Sequence, residues 1–451
     1  MNVLSARMPL PVAKTGLSRT GYIFIAVLLV VVFEGAVRKW GTSAASLPLI
    51  LLRDAMATYL ILHAWRSGHL RTYKVQTQVL LAWSCCLIAW GMLQVIVNDG
   101  SPIVFLIGLR FWLLYIWFGF AAASSMTEVD FRAAMRTCTA LLILLAPLVV
   151  LQYASPPTAR INTEIDSVEG EVFVVVAGVV RTTGTFSFTN GNSTFLGLVI
   201  PIALAVTAAT KRTLMQAFLG AAAFAALVTE SMVSGARSVV LYSGLMIAVY
   251  LLGRLVFSKG AQKGRALLTL VLAIAALAIL AVVFQSAIEN TQQRFGEAAE
   301  AEDFWQRLLV IFVGEPVAYE KFTFLGIGIG QLSNLAGYVQ TGNVTGFTLA
   351  EAEAGRILLE GGLLGGIYTG LKFVVMGLGL YRSFIIALRR GILFPLLLWI
   401  SLAIALLTWS AIGQLTANAL LGFALAFGLA ALRYPTLEIF PRRTPSLRRI
   451  R

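Results

Sequence analysis

Residues 21–37 read GYIFIAVLLVVVFEGAV, a run in which Glu34 is the only charge. At 1.5 Å of rise per residue the run covers roughly 25 Å as a helix, close to the thickness of a bilayer's hydrocarbon core. One such run could also be a buried helix of a soluble protein, so the rest of the chain has to decide. Of its 451 residues, 58% are hydrophobic and only 12% charged, and the mean hydropathy is +0.84. A soluble chain of this length needs far more charge to cover its surface. The sequence therefore predicts an all-α polytopic membrane protein.

Length and hydropathy predict about twelve transmembrane helices. They fall at 21–37, 46–65, 76–97, 102–124, 131–153, 191–210, 213–231, 236–257, 265–288, 355–384, 392–411 and 416–433. Residues 1–451 read as a single integral membrane domain, interrupted by long loops at 154–190 and 289–354, the larger between the ninth and tenth helices. The first apolar run follows Arg7, Lys14 and Arg19 and lacks a small-residue cleavage site, so no cleavable signal peptide is expected. Cys85, Cys86 and Cys138 all lie in apolar segments, which suits packing and supports neither a disulfide framework nor a metal site.

Basic residues orient the chain. With the N-terminus inside, about 23 of the 35 Lys and Arg residues fall in inner connections and the two tails, as the positive-inside rule expects. The net charge of +14 then reports topology and not nucleic-acid binding, because the basic residues are dispersed. Both termini are expected in the cytoplasm, with the tail RRTPSLRRIR (442–451) on anionic lipid headgroups. Both long loops face outward.

Charges inside the spans are the expensive ones. Arg53 and Asp54 lie in the second span and Arg110 in the fourth. At about 3 kcal/mol each on insertion scales, the three cost on the order of 9 kcal/mol. Glu34, Glu230, Arg237, Glu353, Arg356 and Glu360 sit at span ends on the same, outer side. Mutual pairing or snorkelling is one explanation; a polar cavity open to the outside, holding Arg53, Asp54, Arg110 and Glu360, is the other. A surplus of guanidinium there suits phosphate oxygens. The residues alone thus lead to an outward site for a phosphorylated lipid.

Two loop stretches bear on that site. RTTGTFSFTNGNSTF (181–195) reads as turns leading into a helix; either its hydroxyls satisfy its own backbone or Arg181 reaches the cavity from it. In the larger loop, an apolar stretch with Phe304, Trp305, Leu308, Leu309 and Phe312 predicts an amphipathic surface helix. FLGIGIGQL (324–332) follows; without a βαβ context its glycines indicate close backbone packing and not a nucleotide site. In TLAEAEAGRILLEGGLLGG (348–366), Glu353, Arg356 and Glu360 share one helix face. That face is either a salt-bridge stripe or part of the cavity wall, and Gly362, Gly366 and Gly370 form a small-residue face for a neighbouring helix.

RTTGTFS before the sixth span, VSGARSVVLYSGL opening the eighth, FLGIGIGQL in the large loop and LLEGGLLGG in the tenth resemble, in order and spacing, the bacterial O-antigen ligase and polymerase family. The resemblance covers roughly the second half of the chain; the first third is similar in topology only. It implies a glycosyltransferase of the inner membrane that works on the periplasmic face with no metal, cofactor or nucleotide sugar. Such enzymes move a glycan from an undecaprenyl-pyrophosphate carrier onto an acceptor glycan hydroxyl. The partners implied are that donor and acceptor, membrane lipids, and the proteins of polysaccharide assembly and export. By the same resemblance Arg237 in GARS and Arg181 hold the pyrophosphate, and placement adds Arg356. Ligases of the family carry a histidine about nine residues before the EGGLLGG glutamate, where this chain has Glu351. His63 and His69 fall at the inner face, so a base must be a carboxylate, Glu351 or Glu353. The expectation is a polysaccharide polymerase. Ligation to lipid A core is the nearest alternative, and a secondary transporter or lipid-linked glycan carrier is the rival from another class.

Overall fold

The computed structural model describes residues 16–163, 175–176, 179–208, 213–257, 304–341, 350 and 352–440, with isolated helical positions between 263 and 285. The protein is a multi-pass membrane helix bundle. Among the described residues, ten helices are long and apolar enough to cross a membrane. Phe394–Thr408 is a further apolar helix of 15 residues, too short to count with them. The expected span at 265–288 lies almost wholly outside the described residues.

In chain order the first nine helices are α1 (Arg19–Ala36), α2 (Ser46–Arg66), α3 (Lys74–Val97), α4 (Pro102–Leu109), α5 (Tyr115–Ser125), α6 (Glu128–Ala154), α7 (Thr189–Ala208), α8 (Leu214–Val233) and α9 (Arg237–Phe257). A minimal antiparallel ladder, Val175–Val176 with Val179–Val180, precedes α7. There follow α10 (Phe304–Val313), α11 (Pro316–Glu320), α12 (Asn334–Thr341), α13 (Glu353–Gly361), α14 (Leu363–Arg390), α15 (Phe394–Thr408) and α16 (Leu415–Arg433).

The bundle is built around α7 and α16, the two most buried spans, while α2, α3 and α14 lie at the periphery. α16 and α5 approach closely because Gly119 and Gly422 face each other's helix: a Cβ on Gly119 would lie 2.6 Å from Gly422 O, and one on Gly422 2.7 Å from Tyr115 O. Phe24, Phe118 and Phe423 then fill the junction of α1, α5 and α16, with centroid separations of 4.7–5.5 Å. Leu106, Val79, Val256 and Leu378 project outward, as side chains in contact with lipid tails do.

Two features depart from a plain bundle. α1 passes into a π-turn at Val37–Gly41, and α4 joins α5 through another at Arg110–Leu114. Each π-turn carries an arginine, Arg38 or Arg110, and such bulges recur at functional sites. The expected span 355–384 is also broken in two. Gly362, at φ +55° and ψ −128°, ends α13 and starts α14, a backbone state that suits glycine. The break is held because the Leu363 N–H donates to Phe324 O at 2.9 Å and Gly362 lies directly on the 324–326 backbone. Apolar periodicity continues through the break, so hydropathy alone could not show it.

At the end of the bundle where α1 finishes and α2 starts, the loops are packed down. Gln94 on α3 donates to Leu325 O and Glu360 O and accepts the Ile329 N–H at 3.0 Å. Asn98 donates to Gly326 O at 3.0 Å. Gly330 sits against Val104 O and Gly108 at distances that leave no room for a side chain. The glycines of FLGIGIGQL thus serve close backbone packing, as expected. At the opposite end, Thr127 and Asp130 form a capping box, and Arg433 binds Ser124 O at 2.9 Å.

Candidate functional site

The intramembrane charges form a connected network. Glu34 on α1 pairs with Arg53 on α2, and Arg53 Nε lies 3.7 Å from Asp54 Oδ1. Arg110 grips Asp54 with two nitrogens, at 2.8 and 3.1 Å. Tyr115 donates to the same carboxylate at 3.0 Å. On α16, Asn418 accepts from Arg110 at 3.3 Å and donates to Phe111 O at 2.8 Å, a carbonyl within the π-turn. Of the four residues expected to line one polar cavity, Arg53, Asp54 and Arg110 are thus held by one another, and Glu360 is bound elsewhere, to Trp112 and the 330–332 backbone. Buried charges take this arrangement because removing one partner leaves the other uncompensated.

Above this layer lies the turn Thr182–Phe186. Lys39 donates to Thr183 Oγ1 at 2.7 Å and to Gly184 O at 2.8 Å. Gln152 on α6 accepts the N–H groups of Thr183 and Gly184 at 3.2 and 2.7 Å. Thr185 donates to Val32 O at 2.6 Å, and Gly35 touches the Thr185–Ser187 backbone. Thr182 donates to Val233 O at 3.3 Å. That bond joins the chain just after Arg181 to the end of α8, four residues before Arg237. Both arginines are half-buried.

The third group surrounds the turn Trp409–Gln414 between α15 and α16. Glu353 Oε2 accepts the Ile412 N–H at 3.1 Å, and its other oxygen lies 3.8 Å from Lys372 Nζ. Arg356 is fully buried and donates to Ala350 O at 2.9 Å. Its guanidinium lies so close to Gly413 that any Cβ there would overlap it. Asn334 N–H donates to Gly413 O at 3.1 Å. Asn190, at the end of the first loop stretch, donates to Gln414. Glu353 lies in α13, outside the ten spans; burial pushes its carboxyl above the usual carboxylate range, against the opposing pull of Lys372, the Ile412 N–H and Arg356. A groove between α10, α13, α14 and α15 runs beside the Glu353–Lys372 pair, walled by Phe312, Ile357, Phe373 and Leu406.

Glu353, Arg356 and Glu360 do share a face, yet each serves a different partner. Glu360 accepts from Trp112 Nε1 at 2.9 Å and from the N–H groups of Gly330 and Leu332 at 3.0 and 2.8 Å. It holds the glycine-rich loop in place, a role the sequence did not show. Glu351 lies outside the described residues. Gly366 and Gly370 have no described residue within 4 Å of a notional Cβ, so the helix expected against them is not among the described ones. α10 is a helix, and Trp305, Leu309, Phe312 and Val313 are exposed along one of its faces, as expected of an amphipathic surface helix.

Sequence reading missed Arg38, Lys39, Asn192 and Lys372. The first two follow the apolar run directly and look like ordinary interfacial flanks, yet both are buried. Lys372 lies within an apolar stretch and was detectable as an intramembrane charge. Asn192 carried no signal.

No family model matches the chain, and no curated protein matches it.

Proposed function

We propose that this protein is a glycosyltransferase related to the O-antigen ligase and polymerase enzymes, extending a polysaccharide on the periplasmic face of the inner membrane. The observation that carries the reading is convergence. Four stretches far apart in sequence are tied into one assembly at one end of the bundle: 181–190 to α8–α9 through Thr182 and Val233, 324–332 to α13 through Glu360, and 181–190 to α13 through Asn190, Gln414 and the Gly413 turn. The bias of basic residues toward the opposite end supports placing this end outside and both termini in the cytoplasm.

In this reading Arg237, Arg181 and Arg356 neutralise the pyrophosphate as it departs from an undecaprenyl-linked donor. An acceptor sugar hydroxyl attacks the anomeric carbon, forming the new glycosidic C–O bond while the bond to the pyrophosphate oxygen breaks. Glu351 or Glu353 takes the hydroxyl proton. Purified protein given a defined lipid-pyrophosphate oligosaccharide should yield longer lipid-linked glycan. Transfer to a lipid A core acceptor alone would make it a ligase, and movement of the donor across vesicles without new bonds would make it a carrier.

A further inference from the structure

We infer that Arg38 is the seat of a separate oxyanion-binding site between α1, α2 and the 181–190 stretch. This goes beyond the proposed transfer reaction and stands whether or not the protein forms glycosidic bonds. Arg38 is 3% exposed, and none of its three guanidinium nitrogens has a hydrogen-bond partner among the described residues. A buried guanidinium without a partner is among the costliest groups a fold can hold. The acid one turn back on the same helix, Glu34, is already engaged by Arg53. The neighbouring cation, Lys39, adds positive charge while its own hydrogen bonds go to a hydroxyl and a carbonyl.

The surroundings look built for a ligand. Gly35, one turn before Arg38, lies on the Thr185–Ser187 backbone, which sets the 181–190 stretch beside the arginine. Asn192 is fully buried, and neither its amide oxygen nor its nitrogen has a partner among the described residues. Its side chain lies against Gly184, the residue whose carbonyl Lys39 holds. The π-turn displaces Arg38 from the register that a continuous helix would give it. The chain from Gly41 to Ala44 directly after it is exposed, so the site has a rim. A planar, buried guanidinium fork matches an oxyanion such as a carboxylate or a phosphate. Two sources offer that chemistry: the carboxylate of an acidic sugar and the phosphate of a lipid carrier.

Calorimetric titration of the full chain in lipid nanodiscs, with sodium glucuronate and sodium pyrophosphate as probes and glucose as the neutral control, tests the site. The wild type is expected to bind at least one anion and not glucose; the anion bound identifies the source. With Arg237 already replaced by glutamine to remove the proposed pyrophosphate site, Arg38→Gln is expected to weaken that binding at least tenfold, whereas Arg71→Gln, at an exposed cation just after α2, should retain it. Arg38→Lys, which keeps the charge and loses the planar fork, should weaken it similarly and provides a check should Arg38→Gln fail to fold. Unchanged anion affinity in Arg38→Gln or in folded Arg38→Lys, or no anion binding by the wild type, would overturn the proposal.

Discussion

Glu360 accepts the backbone N–H of Leu332 at 2.8 Å, across the junction between a helix and the loop packed on it. With Gly330 N–H and Trp112 Nε1 on its other oxygen, the carboxylate links α13, the glycine-rich stretch and the π-turn after α4. Its own carbonyl takes Gln94 at 2.7 Å. Side chain and main chain of one residue therefore fix the loop from both sides. Glu360→Ala is expected to leave three buried donors without an acceptor, at about 1–3 kcal/mol each. Abundance and thermal stability in detergent should fall sharply, and a variant as stable as the wild type would show that water or neighbouring carbonyls replace the carboxylate.

The spans were legible because lipid demands about 20 consecutive apolar residues, a signal that survives without knowledge of packing. The pairing of Asp54 with Arg110 was half legible: the cost of each charge pointed to a partner, but which one depended on how α2 meets the π-turn between α4 and α5. The break at Gly362 was not legible. It exists because the 324–326 backbone needs the space a side chain would take, a tertiary fact with no local trace. Arg38 was missed for a related reason, since a basic residue after an apolar run ordinarily reaches water and here it is buried beside Lys39, which the 181–190 stretch holds.

Orientation can be checked at two exposed serines, Ser43 between α1 and α2 and Ser67 after α2. In a background with the native cysteines replaced by alanine, Ser43→Cys should react with an impermeant thiol reagent added outside the cell, and Ser67→Cys only after lysis. The reverse pattern would place the Arg356 cluster in the cytoplasm and remove the periplasmic reading.

Arg237→Lys is expected to insert normally and lose most turnover, about tenfold or more. Lysine keeps the charge but not the planar fork that binds two phosphate oxygens at once. Chain extension measured at matched abundance decides the matter. Wild-type turnover would take Arg237 out of the pyrophosphate site.

Gly413→Ala probes Arg356 without altering its charge. The added methyl occupies the position of the guanidinium, which is the mobile end of its side chain and can move aside more readily than backbone. Insertion should therefore persist while turnover falls at least tenfold, matching Arg356→Gln. A fully active Gly413→Ala would mean that the exact seat of the arginine is immaterial to the reaction.

The base must be chosen between two glutamates. Glu353 is anchored by the Ile412 N–H and lies near Lys372, and burial raises its pKa. A raised pKa brings a carboxyl closer to the range in which it can take a proton from a sugar hydroxyl as the new bond forms. The same contacts also make it a structural joint between α13 and the turn before α16. Glu351 stands where the resemblance places the ligase histidine, and Thr348 three residues earlier gives it an alternative role in a helix-capping box. Glutamine separates these roles, since it can still accept hydrogen bonds and cap a helix but is a very poor base. Glu351→Gln is expected to keep abundance and donor binding and to lose glycan extension. Full activity in that variant would leave Glu351 as a cap. Loss of extension in Glu353→Gln, at normal stability, would then assign the proton to the carboxylate beside Lys372.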